Sequence, residues 1–405
     1  MKHYLVFFKT IEDNNRVLYD DNTYETLYYL APSAEIHHYE CFKGFDATDE
    51  GLMNFKTSLI AWNEELKTND ILSIDWFKYY TNFSAVEMTF KRLCKGKYED
   101  HEIIDRIESK WIEATHNGGL TYCNVGTHDS HGYDFQSFYP CLMGQFKFIL
   151  PHKKGAEIFL SVLPDDISMG FYRVKITSEH IHATKLFAFS KDHVYNNISL
   201  DHAIELQEEF NFKIELIIDD KPNAYLYPKG IRSSSVFGKW FDVLFKIKTK
   251  HPKNKLIKHL LSSLWGSLSH GNNIIKTWDE IEKEGLKIGI GNDSDYKIAD
   301  FTLTNDKEYY KLQCMKQPYK HNFRLKSFLT SYGRVKIAEV IMTDLDSCIR
   351  VHTDGVVFNK QIKLNFPRLV SEDKTTGLIQ WKGVNNYTCL SSASTKEAPA
   401  KPSTK

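Results

Sequence analysis

Apolar residues recur along this chain with two different spacings, one typical of helices and one typical of strands. In residues 49–66, Leu52, Phe55 and Leu59 recur at every third or fourth position, which is the spacing of one buried face of an α-helix. Ser199 has a side chain that favours a helix N-cap, and an apolar-periodic stretch begins directly after it. The predicted helices cover residues 49–66, 84–94, 101–114, 200–210, 235–266 (an antiparallel pair) and 323–343.

Extended segments lie between these helices. Alternating apolar residues on both sides of Asp354 and Gly355 predict a hairpin with a tight Asp-Gly turn. The tail, residues 391–405, is rich in Ser, Thr, Ala, Lys and Pro, a composition that predicts disorder. The predicted strands lie in residues 120–150, where a turn and a helix follow, and in residues 212–218, 272–318 and 347–358.

The first segment that carries chemistry is residues 134–140, Asp-Phe-Gln-Ser-Phe-Tyr-Pro, at the end of a β-prone run. An aspartate at a strand end can bind a divalent cation together with a backbone carbonyl, here Asp134 with the carbonyl of Phe135. Ser137 and the following amides can contact phosphate oxygens, and Tyr139 can lie beneath a sugar. The alternative is that Asp134 caps a helix that starts near Phe135.

A second carboxylate lies in His352-Thr353-Asp354-Gly355. By itself this segment indicates a hairpin turn and nothing more. Together with Asp134 on a neighbouring strand, however, Asp354 would complete a pair that holds two hard divalent cations, the minimal requirement for phosphoryl transfer through two metals.

A third segment, residues 255–266, predicts a helix with a basic face. Lys255, Lys258, Ser262 and Trp265 step by three or four and share one side, whereas the leucines at 256, 260 and 264 share another. Two ammonium groups, a hydroxyl and an indole suit a triphosphate and a stacked base, and Lys246 on the preceding helix can reach the same phosphates. The alternative is an ordinary solvated lysine face.

Composition narrows the class of protein. The chain has 405 residues, 42% of them hydrophobic, which is enough for two or three domains with their own cores. Its 52 basic and 52 acidic residues give no net charge, so a nucleic-acid surface must be local. Seven scattered cysteines without a Cys-x-x-Cys pair indicate a reducing compartment. We expect a soluble intracellular protein without a membrane partner; mitochondrion, nucleus and cytoplasm are not distinguished.

The order of the three segments resembles the family B DNA polymerases. Asp134-x-x-Ser137-Phe138-Tyr139-Pro140 is similar to the first palm motif of that family, Lys258-x-x-x-Ser262-Ser263-x-Trp265-Gly266 to its fingers motif, and His352-Thr353-Asp354-Gly355 to its second palm motif. The protein-primed branch of viruses, linear plasmids and organelles is indicated by Gly118-Gly119, Pro222-Asn223-Ala224-Tyr225, the Lys246 helix, Phe323-Arg324-Leu325-Lys326 and Trp381-Lys382-Gly383.

The chain departs from the family pattern at several places. Ser262 and Trp265 stand where the fingers motif has Asn and Tyr, and His352 and Gly355 replace the ends of Asp-Thr-Asp-Ser. Of the exonuclease motifs, only residues 45–49, Phe-Asp-Ala-Thr-Asp, resemble one, so we expect proofreading to be absent. Few residues follow Lys382, so the thumb is expected to be short or lost.

The resemblance implies an α+β fold: an antiparallel palm sheet with flanking helices, helical-hairpin fingers and a reduced N-terminal domain. The expected boundaries are an exonuclease remnant (1–70), a connector with the Gly-Gly template loop (71–133), the first part of the palm (134–234), the fingers (235–266), the second part of the palm (267–390) and the tail (391–405).

The implied reaction is template-directed addition of a deoxynucleotide to a primer 3′ end. Its partners would be primer-template DNA, deoxynucleoside triphosphates and, in this branch, a terminal priming protein. Asp134, the Phe135 carbonyl and Asp354 would bind two Mg²⁺ ions, with Mn²⁺ as an alternative. The residues implied in nucleotide binding are Ser137, Phe138, Tyr139, Lys246, Lys258, Ser262 and Trp265, with Lys258 also acting in catalysis; those implied in DNA binding are Gly118, Gly119, Thr353 and Lys382.

Two other functions stay open at this point. One is a truncated, catalytically weak polymerase remnant that only binds nucleic acid. The other is a nuclease or another nucleotidyltransferase with a convergent carboxylate pair, although the lysine helix between the carboxylates favours a polymerase.

Overall fold

A computed structural model of the chain describes residues 4–8, 16–20, 26–27, 82–94, 102–115, 118–146, 148–250, 255–267, 271–291, 293–304, 307–319 and 323–392. The helix predicted over 49–66, the exonuclease-like segment at 45–49 and residues 393–405 of the predicted tail lie outside this part of the chain.

The helices of the described part are α1 (Asn82–Cys94), α2 (Arg106–Ala114), α3 (Phe138–Gln145), α4 (Ala183–Leu186), α5 (Asn197–Glu205), α6 (Gln207–Phe210), α7 (Ser233–Lys250), α8 (Lys255–Ser267), α9 (Trp278–Glu284) and α10 (Phe323–Ile341). The strands are β1 (Tyr4–Phe8), β2 (Arg16–Asp20), β3 (Thr26–Leu27), β4 (Thr121–Cys123), β5 (Gly126–Phe135), β6 (Ile149–Pro151), β7 (Ala156–Ile158), β8 (Gly170–Thr177), β9 (Val194–Asn196), β10 (Lys213–Leu216), β11 (Ala224–Leu226), β12 (Gly230–Arg232), β13 (Asn273–Lys276), β14 (Tyr296–Thr304), β15 (Lys307–Cys314), β16 (Cys348–His352), β17 (Gly355–Phe358), β18 (Leu369–Gly383) and β19 (Asn386–Ser392).

The chain divides into two compact units that interleave along the sequence. The first comprises residues 1–110, 139–154 and 229–326, and the second comprises residues 111–138, 155–228 and 327–405. The predicted domain boundaries stay predictions.

The first unit contains a helical group and small sheets. Helices α7 and α8 form the helix pair predicted for 235–266, and α1 packs on both. The buried face of α7 includes Phe237, Trp240 and Leu244, which step by three or four, and Phe237 stacks on Phe90 of α1 with ring centroids 5.0 Å apart. The sheets of this unit have the strand orders β1-β2-β3, β12-β6 and β13-β15-β14.

The second unit is built on two antiparallel sheets. A six-stranded sheet has the order β19-β18-β5-β17-β16-β4, and a five-stranded sheet has the order β10-β8-β11-β7 with β9 also paired to β8. On the six-stranded sheet, Ile349, Val357, Ile379 and Trp381 form a buried apolar cluster. This sheet carries both sequence-predicted carboxylates.

Most predicted elements are confirmed, with instructive differences. The hairpin over 347–358 is β16 and β17, and the helix over 323–343 is α10. Ser199 as an N-cap is wrong: Asn196 caps α5, because its side chain accepts a hydrogen bond from the Ser199 amide. The segment 272–318 also contains α9, which a capping box between Thr277 and Glu280 begins.

Among the described residues, no helix combines the length and the apolar composition that a membrane crossing requires.

Candidate active site

The structure brings together the backbone segments of the two aspartates that the sequence singles out. Strands β5 and β17 pair antiparallel, with Asp134 opposite Gly355. The amide of Phe135 donates a hydrogen bond to the carbonyl of Asp354, with an N–O distance of 3.1 Å. A Cβ atom placed on Gly355 would lie 3.4 Å from Oδ1 of Asp134. The Asp134 side chain therefore lies against the residue that follows Asp354.

The structure excludes the alternative in which Asp134 caps a helix that starts near Phe135. Asp134 lies within β5, and the next helix, α3, begins only at Phe138. An N-cap residue directly precedes the first helical turn, so Asp134 does not cap this helix. Its carboxylate is at the end of a strand, where it can bind a ligand.

The turn that carries Asp354 is tighter than the predicted Asp-Gly turn. Its left-handed residue is Thr353, with a φ of 60°, and the Asp354 amide donates to the His352 carbonyl at 2.7 Å, the hydrogen bond of a three-residue γ-turn. A β-branched residue with positive φ is strained. Ser137 and Arg368 also have positive φ, at 55° and 66°, and the Arg368 carbonyl accepts from the Gln136 amide at 2.9 Å. Strained backbone thus flanks both carboxylates, as is common at functional sites.

Burial disfavours the ionised form of Asp354. Desolvation raises the pKa of its carboxyl, and the negative charge of Glu372 adds to this rise, whereas Arg350 opposes it. A positive charge at the site favours the ionised carboxylate. Because this coupling is reciprocal, the ionised carboxylate in turn stabilises a cation that binds beside it.

The donor set fits Mg²⁺. Within the described residues there is no cluster of three or more His, Cys, Asp or Glu side chains placed to hold a metal. Mg²⁺ does not need one, because it takes one or two protein carboxylates and fills its other positions with water and substrate phosphates. Asp134, Asp354 and a backbone carbonyl such as that of Phe135 match this requirement.

A glycine loop packs on the Asp354 turn. The Thr353 amide donates to the Leu120 carbonyl at 3.0 Å. A Cβ atom on Gly119 would lie only 2.9 Å from the Thr353 Cα, so this contact requires glycine. The buried Arg334 donates to the Gly118 carbonyl at 2.7 Å and so holds the loop from beneath. Sequence reasoning missed Arg334, since nothing local marks an arginine in mid-helix as a support for a distant loop.

In the first unit, two of the predicted nucleotide-binding rings stack on each other. Tyr139 and Trp265 have ring centroids 4.6 Å apart and planes inclined by 22°. Lys326 places its Nζ 5.6 Å from the centroid of the Trp265 ring, and burial lowers the pKa of this lysine. Lys326 lies in a segment that resembles the family, but the resemblance gave it no role. The structure places its ammonium group over the Trp265 ring.

The basic face of the helix pair is exposed. Lys258 and Ser262 on α8 and Lys246 on α7 all face solvent. The Ser262 hydroxyl donates to the Lys258 carbonyl at 2.7 Å, so in this state it is engaged with its own helix. Leu260 and Leu264 on the same helix are fully buried, as the predicted separation of the two faces requires.

Lys382 lies away from the carboxylate pair. Its neighbour Trp381 pairs with Gly126, at the opposite end of β5 from Asp134. At a strand rise of about 3.4 Å per residue, these two ends of β5 are roughly 27 Å apart. The role of Lys382 in DNA binding stays a prediction, and this placement puts it away from Asp134.

The described fold resembles that of DNA polymerases. Phi29 DNA polymerase in complex with primer-template DNA and incoming nucleotide matches with a TM-score of 0.55 and 16% sequence identity, over 84% of this chain and 57% of that chain. The same polymerase in complex with single-stranded DNA matches with a TM-score of 0.53 and 15% identity, over 85% of this chain and 60% of that one. The chain thus spans less than two thirds of the polymerase chains that it matches. No protein-family model and no curated protein matches the sequence.

Proposed function

We propose that this protein is a DNA-directed DNA polymerase of family B, in the protein-primed branch, which adds deoxynucleotides to a primer 3′ end. The observation that carries the proposal is the register of β5 and β17, which sets Asp134 opposite Gly355. This register sets two segments far apart in the sequence side by side, on a fold that resembles a DNA polymerase, and it supports a shared carboxylate site.

Asp134, the Phe135 carbonyl and Asp354 are the residues that would hold Mg²⁺. When bound, two such ions lower the pKa of the attacking primer hydroxyl and neutralise the leaving pyrophosphate. The strained turn at Thr353 holds the Asp354 backbone against that of Phe135, so the chain positions its ligands before any substrate arrives.

The helix pair supplies positive charge for the triphosphate. Lys246 and Lys258 are exposed and bind phosphate oxygens, and Lys258 donates a proton to the leaving pyrophosphate, a general-acid contribution of about 10²-fold or more. Ser262 contributes a hydroxyl once it leaves the Lys258 carbonyl.

Aromatic residues select the nucleotide. Tyr139 lies beneath the sugar and excludes a 2′-hydroxyl by contact, and Trp265 packs on the nascent base pair. Because the two rings stack on each other in this structure, nucleotide entry separates them. Ser137 and the amide of Phe138 contact phosphate oxygens.

The DNA-binding residues lie around the Asp354 turn. Gly118 and Gly119 let the template backbone approach closely, and Thr353 lies between this loop and Asp354. Lys382, at the far end of β5, contacts the primer backbone away from its reacting end.

The test is extension of a labelled primer on a DNA template with four deoxynucleotides and Mg²⁺, with EDTA as the control. We expect product that depends on both template and metal. The alternative that the sequence left open is a catalytically weak remnant that only binds nucleic acid. Both predict salt-sensitive DNA binding, because phosphate contacts release counterions. Binding without extension would support the remnant.

Replacing Lys258 should impair nucleotide use. Lys258→Ala is expected to lower kcat/KM for the deoxynucleotide by roughly 10²-fold, because a phosphate contact and the general acid are both lost. Single-nucleotide incorporation measures this change. Lys283→Ala, at an exposed lysine on α9, is the matched control. Equal kinetics for Lys258→Ala and Lys283→Ala would show that Lys258 does not contribute to nucleotide use.

Replacing Gly119 should disturb the Asp354 turn. In Gly119→Ala the new Cβ atom meets the Thr353 backbone, so the turn must shift; we expect primer extension to fall roughly 10- to 100-fold with little change in Tm. Gly291→Ala, where a Cβ atom meets nothing within 4 Å, should behave as the wild type. Full activity in Gly119→Ala would show that the loop does not position the site.

A further inference from the structure

Two residues that the proposed mechanism does not use, Arg350 and Glu372, flank the carboxylate pair. Arg350, on β16, is only 7% exposed. Its Nε donates to the Val384 carbonyl at 2.7 Å, and its guanidinium lies over the Trp381 ring, 5.0 Å from the centroid. Arg350 is therefore a fixed charge rather than a mobile surface group.

Glu372 is fixed on the other side by an irregularity in β18. The register with β5 shifts between Glu372 and Gly377. Within this interruption, Thr375 donates from its hydroxyl to Oε2 of Glu372 at 2.9 Å. Thr375 is itself buried against Gly132, where a Cβ atom would lie 1.8 Å from its Oγ1. A glycine is required at 132 for this arrangement.

Strand register places both charges on the face that carries Asp134. Arg350 pairs with Val357, Val357 with Gly132, and Gly132 with Glu372, so these four residues form one row across the sheet. Asp134 is two residues along β5 from Gly132, and residues opposite each other or two apart share a face. The Asp134 row and the row with the two charges are therefore adjacent.

Both charges act on Asp354, with opposite sign. The pKa of Asp354, which burial raises, is raised further by Glu372 and lowered by Arg350. Burial lowers the pKa of Arg350, and the charges of Tyr387, Glu372 and Asp134 are among those that oppose this. Asp354 thus lies in the fields of one positive and one negative side chain, and Asp134 interacts with the positive one.

We propose that Arg350 and Glu372 are opposed fixed charges that set the affinity of the Asp134–Asp354 site for divalent cations. Arg350 weakens cation binding by repulsion and acts as a countercharge when no metal is present, and Glu372 strengthens cation binding. Both are positioning residues rather than metal ligands. The inference rests on the metal site of the proposed function and deepens it, since it assigns the residues that determine the metal concentration at which the site fills.

The test is direct binding of Mn²⁺ to the full-length chain without DNA or nucleotide, followed by electron paramagnetic resonance. Arg350→Met is expected to bind Mn²⁺ about fivefold more tightly, and Glu372→Gln about fivefold more weakly, as expected for a unit charge near a divalent ion in a high effective dielectric. Arg350→Lys keeps the charge and should resemble the wild type. Asp373→Asn, at an exposed neighbour of Glu372, is the matched control.

Opposite changes in the Mn²⁺ affinities of Arg350→Met and Glu372→Gln distinguish this proposal from a purely structural role of the two side chains. If the two side chains only supported the fold, both variants would weaken Mn²⁺ binding or leave it unchanged, and either result would overturn the proposal. If Arg350→Met does not fold, unchanged binding in Glu372→Gln still overturns it. Asp354→Asn tests the metal site itself. If this variant binds Mn²⁺ as tightly as the wild type, the metal site of the proposed function is wrong, and the roles of Arg350 and Glu372 are wrong with it.

Discussion

Asp134→Asn and Asp354→Asn are each expected to lower Mg²⁺-dependent primer extension by at least about 10³-fold, since each removes a charged ligand worth several kcal/mol of transition-state stabilisation. The amide keeps the size of the side chain and can accept hydrogen bonds, so the fold should persist. Incorporation of one nucleotide under single-turnover conditions measures the loss, and circular dichroism checks the fold.

The matched control for this pair lies on the same strand. Asp129 is an exposed residue of β5, away from Asp134, and Asp129→Asn should extend primers as the wild type does. Extension at wild-type levels in either Asp134→Asn or Asp354→Asn would rule out the two-metal assignment. A fall of similar size in all three variants would indicate a general effect of charge on DNA binding instead.

Arg324→Met is expected to lower the free energy of unfolding by about 3–5 kcal/mol, because it leaves a buried carboxylate without its partner. Arg324 and Glu108 are both 0% exposed, and the Nη2 of Arg324 donates to Oε2 of Glu108 at 2.7 Å while Nε donates to Oε1. Both residues belong to the first unit, Glu108 on α2 and Arg324 in the first turn of α10. Urea unfolding followed by circular dichroism measures the change.

Two further variants test whether burial of the ion pair causes the expected loss of stability. Lys316→Met breaks an ion pair with Asp295 in which the lysine is 80% exposed, and it should leave the urea midpoint unchanged because water replaces the lost partner. Adding Glu108→Leu to Arg324→Met should recover much of the lost stability, since no uncompensated charge is then buried. Similar midpoints for Arg324→Met and Lys316→Met would contradict this account.

The elements that sequence predicted best are those with a local cause. The hairpin of β16 and β17 follows from alternation around a short turn, and α10 follows from a long stretch without proline. The error at Ser199 has a local cause as well. Asn196 and Ser199 are both residue types that favour an N-cap position, and Asn196 is the one that caps α5. Ser199 is buried, and its hydroxyl donates a hydrogen bond to the Ser331 hydroxyl in α10 at 2.9 Å.

For the candidate site, the sequence singled out the two aspartates but not the residues that contact their surroundings. Asp134 and Asp354 stand in recognisable motifs. Arg334, Arg350 and Glu372 do not, because each acts through a contact with a residue far along the chain. The residue at the turn was also misassigned: the left-handed position is Thr353, where local propensity favours Asp-Gly, and packing against Gly119 accompanies the strained geometry.

By itself, the sequence determined which segments are helical or extended, and it singled out two aspartates and a lysine-bearing helix as the chemical groups. These properties follow from interactions between residues close in the chain. Only the tertiary structure decided that the two aspartates are neighbours, that a buried arginine and a glutamate lie in the adjacent row, and that Lys382 is at the far end of β5. Strand register decides all three, and register depends on the packing of strands that no local pattern specifies.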